Sequence, residues 1–196
     1  NYEAWVIEYK VFFGDPNAVN VWDELDLYLK TRFKTESGRV ISIASTCIDS
    51  GGHHSQRVYS YTKPRQGRRI FAIKGASVPG KPIVSKPSFV GKVQTALYIV
   101  GTDTAKENIF ARLNASDEET TLHFPADLDD EYFKQLTAEK RITKWIRGRK
   151  TLAWKQIRPR NEALDVTVYN FAAIYILNPN FDLIEEKLLT GVAEPK

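Results

Sequence analysis

Two aspartates stand at positions where a carboxylate can do chemistry. The first, Asp49, follows a nearly continuous apolar run over residues 40–48 and precedes Gly51 and Gly52. The carboxyl end of a buried strand is where α/β sheets place their active sites, and glycines let a backbone or a ligand come close. The run Asp-Ser-Gly-Gly is also good turn sequence. Asp49 is therefore either a site carboxylate or an ordinary turn residue.

The second aspartate, Asp165, lies within residues 163–174, which are apolar over most of a helix circumference. Such a helix is largely buried, so its aspartate must be paired, hydrogen-bonded or bound to a metal ion. Glu162 comes three residues earlier, on the same helix face. Two carboxylates this close repel each other unless a cation lies between them. The alternative is a salt bridge to Arg158 or Arg160.

Several other kinds of active site are excluded by the residues that the chain lacks. It contains no G-x-x-x-x-G-K-[ST] loop for ATP, no H-E-x-x-H zinc helix and no G-x-S-x-G nucleophile elbow. Its one cysteine, Cys47, rules out an internal disulfide and a multi-cysteine zinc site. The position of Cys47 inside an apolar strand predicts a buried, inert thiol.

The basic residues are segregated along the chain, which has a net charge of +4. Residues 50–102 and residues 140–160 contain lysines and arginines but no acidic residue. This segregation suits a surface that binds a polyanion such as nucleic acid, although solvated basic faces would give the same pattern. The candidate phosphate contacts are Lys74, Lys81, Lys86, Arg147, Arg149 and Lys150.

The elements that must position these residues alternate between strands and helices. Strands are predicted at 5–13, 40–48, 69–73, 95–100 and 121–124, with a hairpin over 142–157 that turns at 147–148. Helices are predicted at 21–33, around Val58 and Tyr61, through Ile109 and Leu113, and at 127–139 and 161–177, followed by a polar tail. This order indicates an α/β domain with a mixed sheet. The length of 196 residues fits one domain, and no apolar run is long enough to cross a bilayer, so a cytosolic protein is expected.

An ordered set of short motifs resembles the lambda-type terminase large subunit, the gpA-like family of bacteriophages. The motifs that carry the resemblance are Val11-Phe12-Phe13-Gly14-Asp15-Pro16, Trp22-Asp23-Glu24-Leu25, Cys47-Ile48-Asp49-Ser50-Gly51-Gly52-His53, Val58-Tyr59, Gly101-Thr102-Asp103-Thr104-Ala105-Lys106, Leu122-His123-Phe124-Pro125 and Asn161-Glu162-Ala163-Leu164-Asp165 with Tyr169 and Ala172-Ala173. No single motif is specific, but their combination in family order covers nearly the whole chain.

The resemblance implies a fold and an activity. Large subunits of that family carry an ATPase motor and an endonuclease of RNase H-like fold, and this chain resembles the endonuclease alone, as a single domain over residues 1–196. The implied reaction is the cutting of concatemeric viral DNA during genome packaging, by phosphodiester hydrolysis with two Mg²⁺ or Mn²⁺ ions. In that pattern Asp49 and Asp165 are metal ligands and Glu162 a helper. The implied partners are double-stranded DNA, a small terminase subunit and the portal of the procapsid, in the host cytoplasm and not in a membrane.

One departure from the family pattern concerns its first acidic ligand, which sits on a strand before the one that opens this chain. The chain contains no methionine and starts within a strand-like run, so a piece of a longer polypeptide without the first strand of the fold is expected. Two other functions remain open, namely a non-catalytic module for DNA binding or motor assembly, and another RNase H-like nuclease such as a resolvase.

Overall fold

A computed structural model describes residues 3–92, 94–115, 121–146 and 148–190, and for Ile146 and Arg149 it describes the backbone only. The strands are β1 (Ala4–Trp5), β2 (Arg32–Lys34), β3 (Val40–Ser42), β4 (Thr46–Asp49), β5 (Ile70–Gly75), β6 (Ser88–Val90), β7 (Thr95–Val100), β8 (Leu122–His123), β9 (Glu139–Ile146) and β10 (Arg149–Gln156). The helices are α1 (Val19–Tyr28), α2 (Ser55–Thr62), a 3-10 helix (Lys63–Arg68), α3 (Thr102–Leu113), α4 (Asp130–Leu136), α5 (Glu162–Leu177) and α6 (Phe181–Thr190).

A four-stranded mixed sheet in the order β4–β5–β7–β6 forms the centre of the fold. Strands β4, β5 and β7 run parallel, and β6 lies antiparallel to β7. Strand β5 has buried residues on both faces, which is why its sequence is a continuous apolar run. Three two-stranded sheets surround this core, pairing β1 with β8, β2 with β3, and β9 with β10.

Helices cover both faces of the central sheet. On one face α3, α4 and α5 bury an apolar cluster that includes Ile73, Val100, Ile109, Leu136 and Leu164. On the other face, α2 packs its buried Val58 against Ala72 and Leu97 of the sheet. The predicted α/β class, with a mixed sheet flanked by helices, is therefore confirmed. Among the described residues, no helix is both long enough and apolar enough to cross a membrane.

The predicted strand over residues 5–13 is wrong for most of its length. Only Ala4 and Trp5 pair with another strand, and the chain beyond them is irregular although it is rich in strand-forming residues. The side chains of Ile7, Val11 and Phe13 are exposed. A strand needs a hydrogen-bonding neighbour, and β-propensity alone does not supply one.

The predicted strand over residues 40–48 is divided between two sheets. Its first part, β3, folds back on β2, whereas its second part, β4, pairs with β5. Because the two partners belong to different sheets, the chain leaves the strand conformation at residues 43–45. Phe33 was predicted to belong to the first helix, but it lies in β2, where it pairs with Ile41 of β3.

Two further boundaries differ from the sequence prediction. The helix predicted over 127–139 is α4 only, and Glu139 opens β9 instead. The predicted polar tail contains the helix α6, which has no buried residue. The strand 95–100, the helix 161–177 and the hairpin about 147–148 are confirmed to within a few residues.

Candidate functional site

Asp49 is the last residue of β4, at the carboxyl edge of the three parallel strands. Its Oδ1 accepts a hydrogen bond of 2.9 Å from the backbone N–H of Gly51. A Cβ atom added to Gly51 would stand 3.2 Å from the same oxygen, so a glycine suits the turn. Asp49 is thus a turn residue and an exposed carboxylate at the sheet edge at the same time.

Asp165 lies in the first turn of α5 and is half-buried. Within the described ranges, no arginine or lysine forms an ion pair with it, so the predicted alternative of a salt bridge to Arg158 or Arg160 does not occur there. Burial raises the pKa of Asp165 to about 6; Lys106 opposes this shift, while the negative charges of Glu139, Asp49 and Glu162 add to it. The helix thus holds a carboxyl group that has no cationic partner in direct contact.

Asp49 and Asp165, far apart in sequence, come together because α5 packs against β4. The charge of Asp49 raises the pKa of Asp165. Burial, the charges of both aspartates and hydrogen bonding to Asp49 raise the pKa of Tyr169, which lies one helical turn after Asp165. The two carboxylates and this tyrosine hydroxyl therefore form one polar cluster at the carboxyl edge of the sheet.

Glu162 is directed to a different partner. Its carboxylate accepts from Nε of Arg160 at 3.3 Å, and more than half of each side chain is exposed. Its charge still contributes to the raised pKa of Asp165, as the last of the causes. The predicted role of Glu162 as a helper in metal binding stays a prediction.

A buried ion pair adjoins Asp165. Nζ of Lys106 on α3 donates to Oε1 of Glu139 at 2.7 Å, and Nδ2 of Asn161 donates to the same oxygen at 3.0 Å. Lys106 and Glu139 are 8% and 7% exposed. Because Asn161 precedes α5 directly, this network ties α3 and β9 to the start of the helix that carries Asp165.

The sequence analysis missed the roles of Lys106, Glu139 and Tyr169 in this cluster. Tyr169 could have been predicted from the sequence, because its spacing of one helical turn from Asp165 puts both residues on one helix face. Lys106 stood in a motif of the family resemblance, but nothing in its local sequence marks it as buried. Glu139 was assigned to a helix, which hid its place at the start of β9.

The predicted phosphate contacts are exposed where the structure describes their side chains. Lys74 lies near the end of β5, Lys81 and Lys86 lie in the segment between β5 and β6, and Lys150 lies on β10. Arg147 lies outside the described residues, and the side chain of Arg149 is not described.

The segment that carries Lys81 is held against the carboxyl edge of the sheet. The backbone N–H of Gly101 donates to the carbonyls of Pro82 and Ile83, and Oγ1 of Thr104 donates to the carbonyl of Lys81 at 2.7 Å. A Cβ atom on Gly101 would collide with the carbonyls of Lys81 and Pro82. Residue 101 must therefore be glycine for this segment to lie where it does.

Among the described residues, Cys47, His53 and His54 form no hydrogen bond with Asp49, Asp165 or Tyr169. Burial raises the pKa of Cys47 to about 12, and its side chain is half-buried; that the thiol is inert stays a prediction. His53 is exposed, and Nδ1 of His54 lies 3.1 Å from Oδ1 of Asn17.

The set of carboxylate donors is small, but it suits a hard divalent cation. Mg²⁺ and Mn²⁺ prefer carboxylate oxygens, and Asp165 offers a half-buried carboxylate beside that of Asp49 with no cation in contact. Across the described part of the chain, no group of three histidine, cysteine, aspartate or glutamate side chains is arranged to hold an ion. Any metal held by the described residues would thus rest on two carboxylates.

Comparisons with known proteins agree on one family. The model of the terminase large subunit gpA endonuclease domain matches residues 1–187. The chain is 34% identical over 200 residues to the "Terminase, large subunit" of Escherichia phage lambda, in a match that covers 98% of the chain and 31% of the relative. It is 33% identical over 183 residues to the "Terminase, large subunit" of Enterobacteria phage P21, covering 89% and 28%. The chain thus spans about a third of the length of these relatives, and no solved structure matches it significantly.

Proposed function

The chain belongs to the family of terminase large subunit gpA endonuclease domains, and from that membership we propose that it cuts concatemeric viral DNA during genome packaging, with Mg²⁺ or Mn²⁺ as cofactor. The observation that carries the metal dependence is the pair Asp49 and Asp165 at the carboxyl edge of the sheet. Asp165 is half-buried, has no ion-pair partner among the described residues and lies within the electrostatic reach of Asp49.

In the proposed reaction Asp49 and Asp165 act as ligands and not as proton shuttles. Asp49 and Asp165 would be ligands of the two ions that the family resemblance implies, and these ions would supply polarisation of the scissile phosphate and a lowered pKa for the attacking water. Asp49 is oriented for this by the N–H of Gly51, and Asp165 by its position on a helix fastened through Asn161. Glu162 is proposed as a helper that leaves Arg160 when a cation is present.

The exposed lysines are proposed to hold the duplex over this edge. Lys74 and Lys81 lie at the same edge as Asp49, where their ammonium groups would bind phosphates on either side of the cut. Lys86 and Lys150, with Arg147 and Arg149, would extend this contact. Phosphate contacts position DNA but do not read its sequence, so the choice of the cut site is assigned to partner subunits.

The proposed fold is RNase H-like, in one domain over residues 1–196, with a further strand beside β4. In the described sheet β4 is an edge strand. A cavity of about 490 Å³ lies next to it, lined by apolar residues that include Val6, Ile43 and Phe171. A strand carrying a third carboxylate could pair with β4 there and complete the two-metal site. An open edge beside apolar surface is otherwise a liability in a folded protein.

The proposed protein partners, unlike the DNA, follow from the family and not from a surface of this chain. The relatives are large subunits of terminases. We therefore assign to this chain double-stranded DNA, a small terminase subunit and the portal of the procapsid, acting in the host cytoplasm.

The proposal is tested by plasmid nicking in Mn²⁺ with Asp165→Asn, in a polypeptide that also includes any upstream strand. The variant should fold as the parent does and lose cutting, because an amide is a poor ligand for a hard cation. Asp182→Asn, on the exposed helix α6, is the matched control and should cut as the parent does. If well-folded Asp165→Asn protein cuts at the parent rate, the carboxylate is not a ligand and a non-catalytic DNA-binding or assembly module becomes the better description. Preferential cutting of branched over linear duplex would instead indicate a resolvase-like enzyme.

A further inference from the structure

The contacts that hold the hairpin formed by β9 and β10 against α3 lie, among the described residues, near the base of the hairpin. Trp154 packs on Phe110 of α3 with ring centroids 4.9 Å apart, and Arg141 forms an ion pair of 2.8 Å with Glu107. Both residues lie on the same face of the hairpin, because Trp154 and Arg141 are cross-strand partners. The face that holds the hairpin in place is thus defined by its contacts with α3.

Further from the base, the face that carries Trp154 and Arg141 also carries a large, exposed aromatic side chain. Trp145 is 72% exposed and stands directly opposite Lys150. Leu152, also exposed, lies on this face beside them. Tryptophan is highly buried on average in folded proteins, and here Trp145 and Leu152 are exposed together beside a lysine, which makes this face a candidate surface for a partner.

The charge of the hairpin specifies the kind of partner. The opposite face carries Lys140, Lys144 and Lys155, all exposed. Within the described ranges none of these lysines, nor Lys150, forms an ion pair with an acidic side chain. A narrow ribbon with unpaired cations on both faces and an exposed aromatic ring is complementary to a polyanion with flat apolar groups between its charges, which describes nucleic acid.

We propose that the β9–β10 hairpin enters the major groove of duplex DNA at Trp145 and Lys150, where Trp145 packs against base edges while Lys150, with Lys144 from the opposite face, binds the flanking phosphates. The major groove admits a two-stranded β-ribbon, whereas the minor groove is about half as wide. The proposal rests on the proposed function, because it assumes that the DNA is the duplex cut at Asp49 and Asp165.

The register of the hairpin also gives the distance between Trp145 and Glu139 at the base of the hairpin. Glu139, which touches Lys106 beside Asp165, and Trp145 lie on the same strand and by alternation on the same face. The strand between them extends for about 20 Å at roughly 3.3 Å per residue. Trp145 therefore lies up to about 20 Å from Glu139, along the hairpin and away from its base.

The test is the binding of a labelled linear duplex by fluorescence anisotropy, at several salt concentrations and with metal chelated so that no cutting occurs. Trp145→Ala should weaken binding about tenfold without changing the salt dependence, since an aromatic contact with bases releases no counterion. Lys150→Ala should instead lower the slope of log K against log salt by about 1. Trp145→Phe should keep most of the affinity. Phe13→Ala removes an even more exposed aromatic side chain on the surface beside α1 and should change neither quantity.

The groove is tested with duplexes that carry glucosylated hydroxymethylcytosine, which fills the major groove, and with a minor-groove ligand such as distamycin. The modified duplex should bind the parent protein as weakly as an ordinary duplex binds Trp145→Ala, and distamycin should not compete. Unchanged affinity of Trp145→Ala, or competition by distamycin alone, overturns the hairpin proposal. If Asp165→Asn nevertheless abolishes cutting, the proposed function stands without it, whereas a protein that neither binds nor cuts duplex DNA overturns both.

Discussion

Lys106 donates its hydrogen bond to Glu139, 2.7 Å away, although the ionisable carboxyl of Asp165 is near enough to respond to its charge. Both members of this ion pair are buried, and Asn161 completes the hydrogen bonding of the Glu139 oxygen. Glu139 therefore determines where the Lys106 ammonium group points. The consequence is that Asp165 keeps its oxygens available for another cation.

Glu139→Gln should abolish or strongly weaken the binding of Mn²⁺. A neutral glutamine leaves the buried Lys106 ammonium group without a counter-charge, and the carboxyl of Asp165, which already responds to the charge of Lys106, can replace it. Isothermal titration calorimetry of the parent and the variant with Mn²⁺ alone measures the effect independently of cutting.

The control for this prediction removes both charges. In the double variant Lys106→Met with Glu139→Gln, no freed ammonium group competes for Asp165, so Mn²⁺ binding should return to within a few-fold of the parent. If the double variant binds as poorly as Glu139→Gln, then Glu139 acts through the packing of the site and not by holding Lys106.

Asp165→Asn should stabilise the metal-free protein at neutral pH. The folded-state pKa of Asp165, about 6, is above the ordinary value of 3.8. Between these two values the folded state binds more protons than the unfolded state, so stability falls as pH rises through that window and the full penalty is present at pH 7. Removing the ionisable group should recover on the order of 2 kcal/mol in the free energy of unfolding at pH 7.

Urea unfolding at pH 4 and pH 7, in the presence of a metal chelator, checks the direction of this stability change. The parent and Asp165→Asn should differ little at pH 4 and clearly at pH 7, and adding Mn²⁺ should stabilise the parent alone. A variant that is less stable than the parent at pH 7 would contradict the raised pKa.

Gly101→Ala should displace the segment that carries Lys81. The new methyl group has no space beside the carbonyls of Lys81 and Pro82, and crowding of this kind typically costs about 1–3 kcal/mol. Chemical unfolding should register the loss, and duplex binding should weaken because Lys81 moves. Gly67→Ala, where nothing lies within 4 Å of the added atom, is the control and should leave both measurements nearly unchanged.

Asp26→Asn should loosen α1 from the 3-10 helix that follows α2. Asp26 forms ion pairs with Lys30, Arg65 and Arg68 at 2.6–2.9 Å. Burial alone would raise the pKa of Asp26, but these hydrogen bonds outweigh it and hold the pKa well below its usual range. The substitution should cost about 2 kcal/mol near neutral pH, where the carboxylate is charged in both folded and unfolded chains.

The pH dependence of this loss follows from the depressed pKa of Asp26. The stabilisation is complete above the unfolded pKa, about 3.9, and disappears as pH falls towards the lower folded value. In thermal unfolding, the difference between the parent and the variant should therefore be constant from pH 7 to about pH 5 and should narrow, without vanishing, between pH 4 and pH 3. Asp23→Asn, on the exposed face of the same helix, should show no such dependence.

The sequence by itself was enough to find the elements whose pattern is local. The strand at 95–100, the helix that carries Asp165 and the hairpin about 147–148 each repeat apolar residues at the period of one kind of structure, and they lie where they were predicted. The position of Asp49 at the end of its strand was predicted for a similar reason, because glycines follow it. The ordered motifs were also sufficient to identify the family.

Only the tertiary structure decided which groups meet. The strand-like run at 5–13 has no partner for most of its length, Glu162 is paired with Arg160, and Lys106 and Glu139 are buried together beside Asp165. Strand pairing and the ionisation of a carboxyl depend on neighbours that are distant along the chain, so no local pattern of residues contains them. The hydrophobic period of a segment depends on its own side chains, whereas the electrostatic environment of Asp165 depends on the whole fold.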